Sequence, residues 1–88
     1  MKVHVKIFAT LAKRVSGPIL TNYPQGIRAG SPLEVELPVS STLANLVAHL
    51  GLPSEELKLT FVNGRAQELN CRLAPGDEVG IFPPVGGG

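Results

Sequence analysis

The residues with the clearest chemical potential are Gly86-Gly87-Gly88, which follow the stiff pair Pro83-Pro84. Glycine has no Cβ, so a glycine arm can pass through a channel that is too narrow for any side chain. Proline restricts φ and favours extended geometry, so the pair is expected to direct the arm away from the body of the protein. At ~3.3–3.6 Å per residue, residues 83–88 reach about 20 Å. The sequence therefore predicts that the Gly88 carboxylate is presented to another protein; a frayed end without a role is the alternative.

The remaining side chains that could do chemistry occur singly. His4 and His49 have no companion at a spacing typical of catalysis or metal binding, so each is predicted to be structural or at the surface. Cys71 is the only cysteine, which excludes an internal disulfide, an iron–sulfur cluster on several thiolates and a multi-cysteine zinc site. A phosphate-binding loop of the type G-x-x-x-x-G-K-S/T is absent. We therefore expect no bound cofactor and no metal, and any ATP chemistry must belong to a partner.

Composition bounds the class of protein. The 88 residues, of which 43% are hydrophobic, suffice for one small domain. Eight basic and seven acidic residues give a net charge of +1, far from the strongly basic balance typical of small nucleic-acid-binding domains. No segment has the apolar length of a signal peptide or of a membrane span. The composition therefore predicts a soluble, cytoplasmic protein that binds neither nucleic acid nor a membrane.

Period-two alternation of apolar and polar residues predicts strands over residues 2–8 and 33–37. Pro38 closes the second of these strands, whose pattern is typical of a sheet edge. Residues 10–15 are predicted to form a short helical turn that Gly17-Pro18 breaks. The apolar positions of the two strands are Val3, Val5, Ile7, Leu33, Val35 and Leu37.

One helix is predicted after the second strand. Ser41-Thr42 can cap its start, and Gly51 followed by Pro53 supplies the stop. The apolar residues at i, i+3, i+4 and i+7 are Leu43, Leu46, Val47 and Leu50. This spacing places one face of the helix in the core.

Three further strands complete the pattern, over residues 57–61, 65–69 and 78–82. Asn63-Gly64 is a two-residue hairpin signal between the first two, and a turn at 74–77 leads into the last. One helix covering one face of a small mixed sheet suits this order, with the first and last strands adjacent and parallel. The predicted fold class is α+β, the β-grasp of ubiquitin.

The predicted organisation is a β-grasp domain over residues 1–82 with a C-terminal tail over residues 83–88. Residues 16–32 form a loop insertion, rich in Pro, Gly, Ser and Asn, that is longer than compact domains usually contain. Its apolar residues are Ile19, Leu20, Tyr23 and Ile27. They allow the loop to pack as a flap or to contact a partner, and a plain variable insertion is the alternative.

The segment 77–88 resembles the G-D-E-V-x-x-x-P-P-V-x-G-G ending of the MoaD-type sulfur carriers, the small subunits of molybdopterin synthase, with Gly76 as the leading Gly. Residues 5–11, the helix entry at 41–43 and Val62-Asn63-Gly64 are similar in place and type. The related thiamine carriers of the ThiS type share the Gly-Gly end but generally lack the preceding Pro-Pro. The chain thus resembles the MoaD/ThiS-type ubiquitin-like sulfur carriers, and the MoaD branch is the better match.

This resemblance implies a carrier without an acid–base site of its own. An E1-like adenylating enzyme of the MoeB or ThiF type would activate the Gly88 carboxylate with ATP, and a persulfide donor would convert it to a thiocarboxylate. The large subunit of molybdopterin synthase, of the MoaE type, would then use that sulfur. Gly86 and Gly87 would allow the tail to pass into the pocket of each enzyme.

Docking to such partners requires an apolar patch around the root of the tail. The predicted partner-binding residues are Phe8, Phe82, Pro83, Pro84 and Val85. Packing in the core is the alternative for the two phenylalanines, because the face that each presents is not fixed by the sequence.

Three alternatives to the molybdopterin assignment remain open at the level of the sequence. A sulfur carrier for another pathway, such as thiamine, cysteine or tRNA thiolation, would have the same tail chemistry. A ubiquitin-like modifier would join Gly88 to lysines of other proteins. A β-grasp binding module would carry an inert tail.

Overall fold

The computed structural model describes residues 1–84, so the predictions for Val85, Gly86, Gly87 and Gly88 lie outside the described residues. Its main feature is a mixed five-stranded sheet in the order β2-β1-β5-β3-β4. The strands are β1 (Lys2–Ile7), β2 (Leu33–Glu36), β3 (Leu59–Val62), β4 (Arg65–Ala66) and β5 (Glu78–Phe82). β1 and β5 are adjacent and parallel, and the other neighbouring pairs are antiparallel. The predicted β-grasp class is confirmed, and β2 lies at a sheet edge as its pattern indicated.

The single α-helix among residues 1–84, α1 (Leu43–His49), begins where the capping residues predicted. The Thr42 side chain accepts a hydrogen bond from the Asn45 backbone N–H at 3.3 Å, and Asn45 Oδ1 accepts one from the Thr42 N–H at 2.9 Å. This reciprocal pair satisfies donors that the first helical turn leaves unpaired. After Leu50 the chain turns at Gly51, whose φ of +67° is a conformation that favours glycine.

The core lies between α1 and one face of the sheet. It contains the alternating residues of β1, β2 and β5 and the apolar stripe of the helix, as predicted. The residues with no measurable exposure are Val3, Val5, Ile7, Val35, Leu43, Leu46, Leu50 and Ile81. Three 3₁₀ helices, Ala9–Arg14, Pro18–Asn22 and Ser54–Glu56, complete the described elements.

The β3–β4 hairpin turns at Asn63-Gly64, where φ is +52° and +83°. Two successive positive φ values define the type I′ geometry that Asn-Gly favours. The Asn63 side chain accepts a hydrogen bond from the Glu78 N–H at 3.0 Å and donates one to Asp77 Oδ1 at 3.0 Å. The turn is therefore attached to the start of β5.

Two strand boundaries differ from the predicted ones by two residues or more, and three others differ by one residue. β3 begins at Leu59 rather than at residue 57, because the chain first makes the 3₁₀ turn Ser54–Glu56. β4 ends at Ala66 rather than at residue 69, because the chain turns and the Cys71 N–H bonds to the Glu68 carbonyl at 3.0 Å. The apolar residues predicted to alternate in β3, such as Leu59, lie on the sheet face away from the helix. Thr60 and Val62 are buried on the core face, and Leu59 is 46% exposed.

The long 16–32 segment packs against the domain. Ile19 is 4% exposed within the core, and Leu20, Tyr23 and Ile27 are partly buried against it. At its start the Ser16 N–H donates to the Leu50 carbonyl at 2.9 Å. No helix within residues 1–84 is both long and apolar enough to cross a bilayer.

Candidate functional site

The candidate site begins at the end of β5, the strand that leads to the Pro83-Pro84 pair. β5 lies between β1 and β3 and is therefore hydrogen-bonded on both sides. At the last two residues of β5, the Phe8 N–H donates to the Ile81 carbonyl at 3.0 Å and the Lys58 N–H donates to the Phe82 carbonyl at 2.9 Å. The end of β5 is thus held by hydrogen bonds from two neighbouring segments of the same chain before the prolines begin.

All three phenylalanines of the chain meet on the sheet face opposite the helix; we call Phe8, Phe61 and Phe82 the aromatic platform. The Phe8 and Phe82 rings stack with centroids 4.3 Å apart and planes inclined by 4°. Phe61 meets Phe82 edge to face, with centroids 5.5 Å apart and planes at 80°. Both arrangements are favourable for aromatic quadrupoles, and each ring remains only partly buried.

Strand register explains why these rings meet. β1 and β5 pair Ile7 with Ile81, so the next residues, Phe8 and Phe82, lie side by side on the other face. β3 and β5 pair Phe61 with Gly80 and Leu59 with Phe82. The half-exposed Leu59 therefore extends the apolar surface beside Phe82.

Gly80 makes room for the platform. A Cβ at this position would lie 3.3 Å from Phe82 Cε2 and 3.6 Å from Phe8 Cε2. The first of these distances is tighter than ordinary packing contacts, so a side chain at residue 80 would displace the Phe82 ring. The glycine allows the stacked rings to cover the middle of β5.

The platform lines an open groove of about 350 Å³ with a mixed electrostatic rim. Its titratable lining residues are His4, Lys6 and Glu78, which carry both signs of charge. Beyond them, Lys2 Nζ lies 3.9 Å from the Glu34 carboxylate, and both side chains are more than half exposed. An apolar floor with a charged rim is the usual composition of a protein-binding surface.

Among the predicted partner-binding residues, the structure brings Phe8 and Phe82 into direct contact. Pro83, which is partly buried, and Pro84, which is exposed, continue from them. Their docking role stays a prediction. Val85 and the glycines belong to the residues that are not described.

Sequence reasoning missed Phe61, Leu59 and Gly80 as members of this surface. The signal for the first two was present, since they share the parity of the apolar alternation in their strand. This signal could not be interpreted without the sheet order, because the pairing of β3 with β5 is what places Leu59 and Phe61 beside Phe82.

The other candidate chemical groups stay apart. His4 lies in β1 on the platform face, His49 ends α1, and Cys71 is a partly buried thiol whose Sγ lies 3.6 Å from the Arg72 carbonyl. Within residues 1–84, no three His, Cys, Asp or Glu side chains are grouped so that they could hold a metal ion.

The sheet order and the helix packed on one face of the sheet define a ubiquitin-like β-grasp fold within residues 1–84. A family model described as the ThiS family matches residues 22–88, well over half of the sequence. The chain therefore belongs to the ThiS family. The resemblance to MoaD/ThiS-type carriers is confirmed at this level. No curated protein gives a sequence match.

Solved structures support the same fold. SAMP1 from Haloferax volcanii is 26% identical with a TM-score of 0.66, and the alignment covers 100% of both chains. Another H. volcanii structure, small archaeal modifier protein 1, is 21% identical with a TM-score of 0.65, covering 96% of this chain and 98% of that one. A Pyrococcus furiosus protein assigned as molybdopterin converting factor, subunit 1, is 24% identical with a TM-score of 0.64 and the same coverage. The last two likenesses show the fold alone.

Proposed function

We propose that this protein is a sulfur carrier of molybdopterin biosynthesis, acting as the small subunit of molybdopterin synthase with Gly88 as the loaded residue. The observation that carries the proposal is the aromatic platform at the C-terminal end of β5, directly before Pro83-Pro84 and the glycine end of the sequence. Membership of the ThiS family and the likeness to a molybdopterin converting factor subunit support it. The Pro-Pro pair before the glycines favours the molybdopterin branch over the thiamine carriers.

The first step of the proposed chemistry is activation. A carboxylate is a poor electrophile, so an E1-like adenylating enzyme joins the Gly88 carboxylate to AMP from ATP and releases pyrophosphate. A persulfide sulfur then attacks the acyl carbon and AMP leaves. Reduction of the resulting acyl disulfide by a thiol leaves a thiocarboxylate on Gly88.

The second step is transfer within the large synthase subunit. The thiocarboxylate sulfur attacks an electrophilic carbon of the pterin precursor and displaces an oxygen substituent of that carbon, which leaves after protonation by the large subunit. Hydrolysis of the resulting thioester returns the Gly88 carboxylate and leaves the sulfur on the pterin, so two loaded chains supply the two dithiolene sulfurs. This chain supplies the reacting terminus, and the partner supplies the acid–base groups. The platform holds the root of the tail against each partner in turn, through apolar contact with Phe8, Phe61 and Phe82.

Intact mass spectrometry tests the loading step. The purified full chain is incubated with an E1-like enzyme, ATP and a persulfide donor, and we expect the mass increase of one oxygen replaced by one sulfur. The unreacted sample also shows whether Gly88 ends the chain, as the proposal requires. A variant without Gly88 is the matched control, and sulfur loading of that variant at the same rate would refute the proposal.

A transfer assay tests the molybdopterin assignment separately. Loaded protein is mixed with a MoaE-type large subunit and the cyclic pterin precursor, and dithiolene formation is expected to consume the thiocarboxylate. Loading without such transfer, combined with transfer to a thiamine, cysteine or tRNA acceptor, would assign the carrier to another pathway.

A protein modifier is the second candidate function, favoured by the full-length likeness to SAMP1 at 26% identity. In that case a lysine amine, rather than a persulfide, attacks the activated Gly88 and forms an isopeptide bond. Trypsin cleaves after Arg72, so lysine peptides bearing residues 73–88 as an isopeptide-linked branch would identify this activity. Their absence from a reaction that yields thiocarboxylate would exclude it.

A further inference from the structure

Residues 16–32, which we call the strap, contact the outer edge of β2 through Tyr23. In the part of the chain that the structure describes, β2 is an edge strand whose only neighbour is β1. The Leu37 N–H donates to the Met1 carbonyl, so the N–H groups of alternate residues, including Glu34, point away from β1. The outward Glu34 N–H donates to the Tyr23 hydroxyl at 3.1 Å. The strap thus occupies a hydrogen-bonding group that an added strand would need.

Both ends of the strap are attached to the domain. Ser16 is bonded through its N–H to the Leu50 carbonyl at 2.9 Å, and the Gly30 N–H donates to the Ile7 carbonyl at 2.9 Å. Between these points Ile19 is buried in the core and Tyr23 is partly buried against it. A segment attached at its ends and middle can hold the Tyr23 hydroxyl in place.

Exposed strand edges invite pairing with another chain, and proteins commonly cover them or place charges on them. The opposite edge of this sheet, β4, is only two residues long, whereas β2 has four residues. β2 is therefore the edge along which the sheet could be extended. Its exposed carboxylates, Glu34 and Glu36, would face each other across an antiparallel pair of β2 strands. Each lies near one cation, Lys2 Nζ at 3.9 Å and the N-terminal ammonium at 3.6 Å, so their mutual repulsion is partly offset.

We propose that the strap, with Tyr23 as its latch, closes the β2 edge to a second copy of this chain. A second copy is the occupant that fits, because antiparallel pairing of β2 with itself uses the same surface on both partners. The latch hydrogen bond and the two carboxylates oppose this pairing together. The proposal concerns the edge alone and is independent of the tail chemistry.

Amide hydrogen exchange tests the latch. Tyr23→Phe removes the hydroxyl and keeps the ring, so exchange at the Glu34 amide is expected to accelerate several-fold while the rest of β2 is unchanged. Asn22→Ala, an exposed neighbour in the strap, is the control and is expected to leave Glu34 exchange unaltered. Unchanged Glu34 exchange in Tyr23→Phe would overturn the role of the hydroxyl.

Sedimentation tests the closure. The triple variant Tyr23→Ala, Glu34→Gln, Glu36→Gln removes the latch and the repulsion, and a concentration-dependent dimer is expected. The double variant Glu34→Gln, Glu36→Gln keeps Tyr23 and is expected to remain monomeric. In the dimer, exchange at the Glu36 amide is expected to slow as concentration rises. A monomeric triple variant, a double variant that dimerises equally well, or protection gained at β4 instead of β2 would each overturn the proposal.

Discussion

At the scale of single residues, Gly80 determines how the aromatic platform lies on the sheet. In Gly80→Ala the added methyl group would lie 3.3 Å from Phe82 Cε2, so we expect the Phe82 ring to move and the stack with Phe8 to open. The backbone at residue 80 is not in the left-handed region, and loss of glycine entropy offsets part of the cost. The unfolding free energy should change by less than about 1 kcal/mol. Ring-proton chemical shifts of Phe8 and Phe82 measure the movement, and unchanged shifts would contradict it.

Phe8 provides a direct test of docking by the platform. Phe8→Ala removes one ring of the stacked pair, and we expect kcat/KM for Gly88 adenylation to fall by about tenfold, the usual effect of losing an aromatic anchor worth more than 1 kcal/mol. Val39→Ala is the matched control, because Val39 is 76% exposed and lies outside the platform. Equal adenylation by both variants and the wild type, with both folded by circular dichroism, would remove the platform from the docking surface.

At the scale of elements, Asn63 joins the β3–β4 hairpin to β5. Asn63→Ala loses the hydrogen bonds to the Glu78 N–H and to Asp77. Alanine also adopts the left-handed φ of +52° at this position less readily than asparagine does. We expect a loss of about 1–3 kcal/mol in unfolding free energy by urea titration. Asn63→Gly retains the turn conformation and loses only the bonds, so it should be the less destabilised variant. If the alanine variant is as stable as the glycine variant, the backbone makes no separate contribution.

The sequence allowed most of the elements to be predicted, because their signals are local. Alternation in β1, β2 and β5, the capping residue Thr42 and the Asn63-Gly64 turn each act within a few neighbouring residues. Which face of β3 is buried could not be predicted from the local pattern. The pairing of Thr60 with Ile81 places Thr60 on the core face and Leu59 on the other face. The buried Thr60 hydroxyl is satisfied by donating to the Gln67 carbonyl, a contact made only once the hairpin has formed.

The candidate site was predictable only in part for the same reason. Phe8 and Phe82 could be proposed together because both flank the root of the tail, but their stacking depends on the parallel register of β1 and β5. Tyr23 gave no signal of its latch role, since its partner is a backbone N–H eleven residues away. Long-range pairing, which composition and periodicity do not encode, decides both contacts.

At the scale of the whole molecule, the two faces of the sheet differ in burial and composition. One face and the helix form the core, whose buried hydrophobic residues, among the 84 that the structure describes, run from Val3 to Ile81. The other face carries the platform, and the central strand β5 belongs to both faces. We therefore expect substitutions in Gly86-Gly87-Gly88 to alter the proposed tail chemistry and to leave the unfolding free energy close to that of the wild type.

Gly87→Val tests this separation together with the proposed passage of the tail. The substitution keeps the Gly88 carboxylate but adds a β-branched side chain beside it, so we expect adenylation, measured by pyrophosphate release, to be abolished because the tail no longer fits a narrow channel. The unfolding free energy in urea should stay within about 0.5 kcal/mol of the wild type. Gly87→Ala, with one methyl group, is the graded control and should retain intermediate activity. Adenylation of Gly87→Val at the wild-type rate would refute passage through a narrow channel. The variant without Gly88 would then still test the carboxylate chemistry.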